Sequence, residues 1–234
     1  DTLKKVLLDR GIRCVGIEKD YLTIDAYHDL VQSINEVDFL PVNCPCLNQR
    51  RVKSAQEIQS LKTAVEIADK AFLHIIDFIK TGQTEKEAAF ELEFFMKRLG
   101  SERNAFETIV ASGERSALPH GVASGKTINE GDFVTFDYGA VVQGYHSDMT
   151  RTVAIKNADK RQKEIYDLVR RAQETAIEQI KPGMKANEAD SIARGIIRNA
   201  GYGDNFGHGL GHGVGLEIHE GPRLAPSDET VLEP

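Results

Sequence analysis

The sequence predicts an α+β fold, because pairs of helix-forming segments alternate with regions rich in strand-forming residues. Apolar residues keep helical spacing from Ser54 to Lys80. A capping box formed by Thr84 and Glu87 begins a second helix, which Gly100 ends. Runs rich in Val, Thr and aromatic residues then predict strands at 108–111, 133–141 and 145–155.

A helix pair of the same kind occurs a second time further along the chain. The segment Ile79-Lys80-Thr81-Gly82 matches Ile180-Lys181-Pro182-Gly183, at an offset of 101 residues. The dipeptide Glu87-Ala88 matches Glu188-Ala189 at the same offset. A constant offset across helix, turn and helix indicates two related halves of one domain. Chance similarity between two amphipathic helix pairs is the alternative.

The domain organisation predicted from these patterns is unequal. Residues 1–50 form a short αβ segment, with an apolar stretch at Cys14–Ile17, that is too small to bury a core of its own. We expect this segment to be the remnant of a larger N-terminal domain, and residues 51–234 to form the main domain. Because the chain begins with Asp1 and ends shortly after Val231-Leu232, we expect it to be shortened at both ends.

Composition excludes several classes of function. The net charge is −7, which does not favour nucleic acid or an anionic membrane surface as a partner. No apolar run approaches the roughly 20 residues of a membrane span, and no signal peptide is evident. The three cysteines fit a reducing compartment, so we expect a cytoplasmic protein. Metal binding by Cys44-Pro45-Cys46 is a weaker alternative.

Two aspartates in the strand region form a candidate cation site. If Gln143-Gly144 is a two-residue turn, Asp137 faces Thr150 and becomes a diagonal neighbour of Asp148 on one face of the sheet. Two adjacent carboxylates repel each other, and a bound cation would resolve this conflict. A three-residue loop would instead put them on opposite faces, and one aspartate at a hairpin end could simply point to solvent.

Histidines provide the other candidate site residues. His208, His212 and His219 lie within twelve residues among closely spaced glycines, which suits backbone that passes close to a ligand or to another strand. His120 lies between Pro119 and Gly121, in a predicted turn after the first strand. The alternative for each is an ordinary histidine with a satisfied hydrogen bond.

Three segments carry a resemblance to a known family in their order and spacing: FETIVASGERSALPHGVAS, GDFVTFDYGAVVQGYHSDMTRTVAI and FGHGLGHGVGLEIHEGP. Together they resemble the pita-bread metallopeptidases, and most closely their Xaa-Pro branch of aminopeptidase P and prolidase proteins. The resemblance extends from about Asn48 to Pro234 and implies a pita-bread fold of two pseudo-symmetric halves with the C-terminal strands missing.

The resemblance also implies roles for single residues. Asp137, Asp148 and His212 match metal ligands of a centre with two divalent ions (Mn, Co, Fe or Zn), whereas His120, His208 and His219 match histidines that contact substrate. It implies hydrolysis of Xaa-Pro bonds in peptides or dipeptides by a metal-activated hydroxide, and a possible homodimer. The family's two glutamate ligands lie beyond the segment that ends at Pro234, so we expect this chain to hold metal weakly.

Three alternatives to this activity remain at this point. The domain could be a pita-bread module with impaired catalysis that binds peptide or protein partners. A creatinase-like, metal-free hydrolase is disfavoured by the aspartate pair. A methionine aminopeptidase is disfavoured because the segment before Asn48 fits the two-domain Xaa-Pro proteins better.

Overall fold

A computed structural model describes residues 2–44 and 46–234 of the chain, so Asp1 and Pro45 lie outside the described residues. Two compact units are present, Asp1–Gln49 and Arg50–Pro234. Within the described ranges, no helix is both long and apolar enough to cross a bilayer.

The first unit contains more regular structure than the sequence predicts. Two parallel strands pair between Cys14 and Val42, and the second of these strands was not expected. Four of its hydrophobic side chains are buried together, so the prediction that this segment buries no core is wrong. Its elements are α1 (Thr2–Asp9), β1 (Cys14–Glu18), α2 (Ile24–Ser33) and β2 (Asp38–Val42). A further helix, α3 (Cys46–Arg51), spans the boundary between the units.

The second unit is built from two helix pairs and two groups of strands, as the α+β prediction requires. The first pair is α4 (Ala55–Phe78) and α5 (Glu85–Arg98), and the second is α6 (Lys160–Gln179) and α7 (Ala186–Asn199). The strands between the pairs are β3 (Ile109–Ser112), β4 (Phe133–Tyr138), β5 (Val141–Val142), β6 (Tyr145–His146) and β7 (Met149–Ala154). After the second pair come β8 (Gly211–Gly213) and β9 (Glu220–Leu224).

The two helix pairs follow the predicted repeat closely. Helices α5 and α7 begin and end at positions that differ by the predicted offset, and both helices have 14 residues. Each is preceded by a glycine with positive φ, Gly82 and Gly183. Backbone hydrogen bonds also repeat, since Gly82 N–H donates to Ile128 O and Gly183 N–H donates to Leu232 O. The second unit therefore contains two related halves.

Three of the strands that separate the helix pairs along the chain form an antiparallel sheet, in the order β3-β4-β7. The long strands predicted at 133–141 and 145–155 are each interrupted, so that β5 and β6 form a separate short hairpin. The interruption has a steric and a hydrogen-bonding cause. A Cβ on Gly139 would lie 1.9 Å from the Ser147 carbonyl oxygen, and the Ser147 hydroxyl accepts the Ala140 N–H in place of a strand partner.

The core of the second unit lies between this sheet and the first helix pair. On α4 the buried positions are mostly small, including Ala64, Ala68 and Ala71, which lets the helix lie close to the sheet. Tyr138 is fully buried against this face, and its hydroxyl donates to Ala68 O. The packing fixes strand β4, which carries Asp137.

Candidate metal and peptide site

The hairpin between β4 and β7 positions the two aspartates. Asp137 pairs with Thr150 across the sheet, as the turn prediction requires, and the Thr150 hydroxyl donates to Asp137 Oδ1 at 3.0 Å. Gln143 and Gly144 both have positive φ, which is the backbone of the predicted two-residue turn. Asp148 lies just before β7, where the strand is interrupted.

The glycines around His212 allow two chain segments to approach closely. Strand β8 pairs with β9, and a Cβ on Gly213 would lie 2.8 Å from the Gly221 carbonyl oxygen. A Cβ on Gly209 would lie 2.8 Å from the Leu224 carbonyl oxygen. Of the two reasons the sequence offered for this glycine spacing, close approach to another strand is therefore present in the structure.

The imidazole of His212 is held from both sides. Its Nδ1 lies 2.9 Å from the Gly213 carbonyl oxygen, which can only accept, so Nδ1 carries the proton and donates. Its Nε2 lies 3.3 Å from Asp148 Oδ2. The ring of His219 packs edge-on against His212, with ring centroids 4.4 Å apart. Nε2 is thus the nitrogen that His212 presents to the aspartates.

All six residues singled out from the sequence line one pocket of about 570 Å³. They are His120, Asp137, Asp148, His208, His212 and His219. The pocket also has an apolar wall, to which Phe106, Ile109, Val122, Leu210 and Ile218 contribute. Sequence analysis did not identify this wall, because its residues come from three separate segments and look like ordinary strand or loop hydrophobics.

Burial and neighbouring charges shift the pKa values of three side chains in the pocket. Burial and the nearby charge of Asp148 raise the pKa of Asp137 to about 6, although the hydrogen bond from Thr150 opposes this. The hydrogen bond with Asp148 raises the pKa of His212, which outweighs the opposing effect of burial. Burial, reinforced by the charge of His212, lowers the pKa of His219. A pocket in which burial and a neighbouring carboxylate disfavour the ionised form of Asp137 is a site that a cation would stabilise.

The donor set fits a divalent cation in its chemistry. Asp137, Asp148 and His212 offer carboxylate oxygens and an imidazole nitrogen, which suit the first-row divalent metals. The Nδ1 hydrogen bond of His212 to a backbone carbonyl is the kind of contact that orients a metal-binding imidazole. Within residues 2–44 and 46–234, however, no three His, Cys, Asp or Glu side chains converge as a group that could hold a metal ion.

Comparison with known proteins identifies the family. The sequence pattern of metallopeptidase family M24 matches residues 59–234, which is most of the chain. The protein belongs to metallopeptidase family M24. An Xaa-Pro dipeptidase from Pyrococcus horikoshii is 49% identical over 222 residues, which cover 95% of this chain and 63% of that protein.

Solved structures of M24 family members confirm the fold. The Xaa-Pro dipeptidase from Bacillus anthracis superposes with a TM-score of 0.97 at 47% identity, over 100% of this chain and 65% of that one. An X-Pro aminopeptidase from Thermotoga maritima gives a TM-score of 0.91 at 40% identity, over 99% of this chain and 66% of that one. The pita-bread fold predicted from the resemblance is thus confirmed. The chain spans less than two thirds of the length of the curated relatives it matches.

Sequence analysis missed the residues that hold the histidine-bearing loops of this M24 domain. Asp190, which is 1% exposed, accepts two hydrogen bonds from Arg194 and one from the backbone N–H of Leu210. Arg194 in turn donates to the carbonyl oxygens of Phe206 (2.8 Å) and His208 (2.6 Å). The spacing of four residues between Asp190 and Arg194 was a signal for their pairing on a helix, but not for the loop they hold.

Glu220 does the same for the loop that carries His219. Its buried carboxylate accepts hydrogen bonds from Lys53 at 3.0 Å, from Arg50, and from the backbone N–H of Glu217 at 3.2 Å. Burial alone would raise the pKa of Glu220, but these hydrogen bonds outweigh it and lower the pKa. Its position directly after His219 was the available signal. Its cationic partners lie about 170 residues earlier, where no local pattern reveals them.

Proposed function

We propose that the protein is a metal-dependent peptidase that hydrolyses the peptide bond before proline in peptides or dipeptides. The observation that carries this proposal is the single pocket that brings together Asp137, Asp148 and four histidines. The similarity to Xaa-Pro dipeptidases and to an X-Pro aminopeptidase supports proline as the residue after the cleaved bond.

In this proposal Asp137, Asp148 and His212 contribute ligands to a centre of two divalent ions, drawn from Mn, Co, Fe and Zn. The metal would supply Lewis acidity and a bound water of lowered pKa. The hydrogen bonds of His212 to Gly213 and of Thr150 to Asp137 hold two of these ligands before a metal arrives. Such preorganisation lowers the cost of binding.

Substrate is held by the other groups around the pocket. His120, His208 and His219 supply hydrogen-bonding imidazoles for the peptide carbonyl and termini, and His120 serves in proton movement at the departing nitrogen. The apolar wall formed by Phe106, Ile109, Val122, Leu210 and Ile218 suits the hydrocarbon ring of proline. A proline nitrogen has no N–H in the peptide, so this wall needs no acceptor opposite it.

The test is a peptidase assay on the full natural chain with Mn²⁺, using Ala-Pro, Ala-Pro-Ala and Ala-Ala. We expect cleavage of the proline peptides, and a loss of at least about a hundredfold in kcat/KM for Asp148→Ala, since even residues behind metal ligands cost about 10–100-fold. Asp167→Ala, on the exposed face of α6, is the matched control and should leave activity unchanged.

Two outcomes would contradict this proposal. Activity that survives Asp148→Ala would exclude the proposed ligands, and equal cleavage of Ala-Ala would exclude proline specificity. A second candidate is a peptide-binding module with impaired catalysis, which is favoured by the lack of a converged three-ligand group within residues 2–44 and 46–234. Binding of Ala-Pro in calorimetry, without turnover, would support that candidate instead.

The possible homodimer, which only the resemblance implies, and the cytoplasmic location, which was inferred from the sequence, remain predictions. Cys14, Cys44 and Cys46 are present as free thiols, in keeping with the reducing compartment from which the location was inferred. Sedimentation of the purified protein and cell fractionation would check the two predictions separately.

A further inference from the structure

We propose that Glu85 is a positioning residue for His120, because its buried carboxylate holds together both ends of the loop that presents this histidine. The loop comprises residues 113–124 and is here termed the His120 loop. The inference rests on the proposed function, in which His120 contacts substrate.

The carboxylate of Glu85 is fully buried at the first position of α5. On one side it accepts the backbone N–H of Ser112 at 2.8 Å and the Ser112 hydroxyl at 2.9 Å. Ser112 ends strand β3 and directly precedes the His120 loop. A carboxylate near a helix N-terminus is also stabilised by the helix dipole.

The same carboxylate binds the other end of the loop. Its Oε2 accepts the backbone N–H of Ser124 at 3.1 Å and the Ser124 hydroxyl at 2.6 Å. Arg115, within the loop, donates from Nε to Oε2 at 3.1 Å, and from Nη2 to the Val122 carbonyl oxygen at 2.7 Å. Glu85 therefore connects the start, the middle and the end of the His120 loop.

Backbone contacts bring the loop to the same place. The N–H of Lys86 donates to Ser124 O at 3.1 Å, so the first turn of α5 binds the end of the loop as well. Val122 forms a bridge with Ile109, and a Cβ on Gly121 would lie 2.8 Å from the Cβ of Ala111. The two residues that follow His120 are thus packed against β3.

His120 itself depends on this support. Its side chain is exposed, and among the described residues it makes no hydrogen bond. The turn around it is held by backbone hydrogen bonds, from Gly121 to Leu118 and from Val122 to the His120 carbonyl oxygen. The position of the imidazole is therefore set by the loop backbone, and the loop backbone is held at Ser112, Arg115 and Ser124.

The arrangement requires an ionised carboxylate. Burial alone would raise the pKa of Glu85, but hydrogen bonds from Ser124 and Ser112 outweigh it and lower the pKa. Lys126 donates to the Ser112 hydroxyl at 2.8 Å, which leaves that hydroxyl to donate to Glu85. All the hydrogen-bond partners of the Glu85 carboxylate are therefore donors directed at its two acceptor oxygens. An amide in its place would direct its own N–H₂ at some of those donors.

A double-mutant cycle on the full natural chain with Mn²⁺ tests the inference, with Ala-Pro as substrate. We expect Glu85→Gln to lower kcat about 10–100-fold, because small displacements of a catalytic contact have costs of this size. In a His120→Ala background the same substitution should cost less than about twofold, since two changes that act through one group are not additive. Calorimetry should show unchanged Mn²⁺ affinity.

Two further variants keep the test decisive. Ser116→Ala removes a hydroxyl that donates to Gly113 O within the loop but does not touch Glu85, and it should leave kcat unchanged. If Glu85→Gln does not fold, Ser124→Ala removes one hydrogen bond of the carboxylate from the loop side. It should lower kcat in the same direction, and again only when His120 is present.

The outcomes separate this inference from the proposed function. Equal losses from Glu85→Gln with and without His120 would mean that Glu85 merely stabilises the fold, and would overturn the inference alone. No loss from His120→Ala would overturn the role of His120 and with it the inference. Amide hydrogen exchange adds a readout independent of turnover, since Glu85→Gln should speed exchange across residues 113–124 and Ser116→Ala should not.

Discussion

In each half of the second unit a buried acidic residue holds a loop, but the two acids occupy different helix positions and have different partners. In the first half, the buried acid is Glu85 at the start of α5, and alanine occupies position 89 one turn later. In the second half the order is reversed, with Ala186 at the start of α7 and the buried acid Asp190 one turn later. Each acid holds a loop that carries a histidine of the pocket.

The fold therefore specifies that a loop is held at the second helix of each half, but it does not specify which side chains hold it. Glu85 receives neutral donors from Ser112 and Ser124 together with one arginine. Asp190 is paired mainly with Arg194 on its own helix, and the arginine then reaches the loop carbonyls. The first arrangement binds its loop mainly through direct hydrogen bonds to the carboxylate, whereas the second adds to one such bond, from the N–H of Leu210, two that pass through a cation.

Removal of the Arg194 guanidinium is expected to have the largest effect on stability. Arg194→Ala leaves the carboxylate of Asp190 buried without its charged partner, which costs about 3–5 kcal/mol when a pair is fully buried. Because the Arg194 side chain is 23% exposed, we expect a smaller cost, about 2–3 kcal/mol of unfolding free energy as measured by urea unfolding. KM for Ala-Pro should also rise, because the loop of His208 loses two hydrogen bonds.

Arg170→Ala is the matched control for this comparison. Arg170 lies on α6 and forms exposed ion pairs with Asp167 and Glu174, so its loss should cost at most about 1 kcal/mol and leave KM unchanged. Equal effects of the two substitutions would mean that the second half does not hold its loop through Arg194.

The next effect concerns the stability of the protein in acid, to which Glu85 of the first half contributes. The pKa of Glu85 is lowered in the folded protein, against roughly 4.3 for an unfolded chain. Its stabilisation is therefore complete above about pH 4.5 and is lost as pH falls through its folded pKa, with a slope of at most about 1.4 kcal/mol per pH unit. Glu85→Gln should flatten this part of the stability profile, as measured by urea unfolding from pH 5 to pH 3.

Glu57 also contributes to the loss of stability at low pH, because hydrogen bonds at the Ser54 N-cap and from Tyr145 lower its pKa to about 2. Glu85→Gln should therefore reduce the slope of unfolding free energy against pH in this range without abolishing it. Glu178→Gln, on an exposed position of α6 in the second half, is the matched control for the loss of one glutamate carboxylate. A slope unchanged by Glu85→Gln would show that its carboxylate is not preferentially ionised in the folded state.

Much of this comparison was accessible from the sequence, for identifiable reasons. A constant offset and a capping box are local signals, and they predicted helices α5 and α7. The pairing of Asp137 with Thr150 followed from a two-residue turn, which is local too. The metal-ligand assignment of Asp137, Asp148 and His212 came from the resemblance and remains a prediction.

The buried acids that hold the loops, Glu85 and Asp190, could not be predicted in the same way. Glu85 looks like an ordinary acidic residue in the first turn of a helix, and its partners lie 27 to 39 residues away on a strand and a loop. Burial of its carboxylate is set by packing of the loop, which helical periodicity does not report. The interruption at Gly139 was missed for a similar reason, since alternation of apolar residues continues through it.

The smallest expected effect concerns the start of each helix. Thr84 caps α5, and its hydroxyl accepts the Glu87 N–H at 3.2 Å, whereas Lys185 at the equivalent position of α7 offers no side-chain acceptor. Thr84→Ala should cost about 1 kcal/mol in unfolding free energy, and Lys185→Thr should gain about 0.5–1 kcal/mol. Lys181→Thr, in the preceding turn, is the control for loss of a lysine and should stay within about 0.5 kcal/mol.

A cost at Thr84 without a gain at Lys185 would be the informative result. The backbone of Lys185 pairs with Val231, and Glu188 already accepts the Lys185 N–H at 3.0 Å. If these contacts alone fix the start of α7, a new hydroxyl adds little because the helix end is held by tertiary structure. The halves would then differ in what begins their second helix, a local cap in one and a strand contact in the other, just as they differ in what holds their loops.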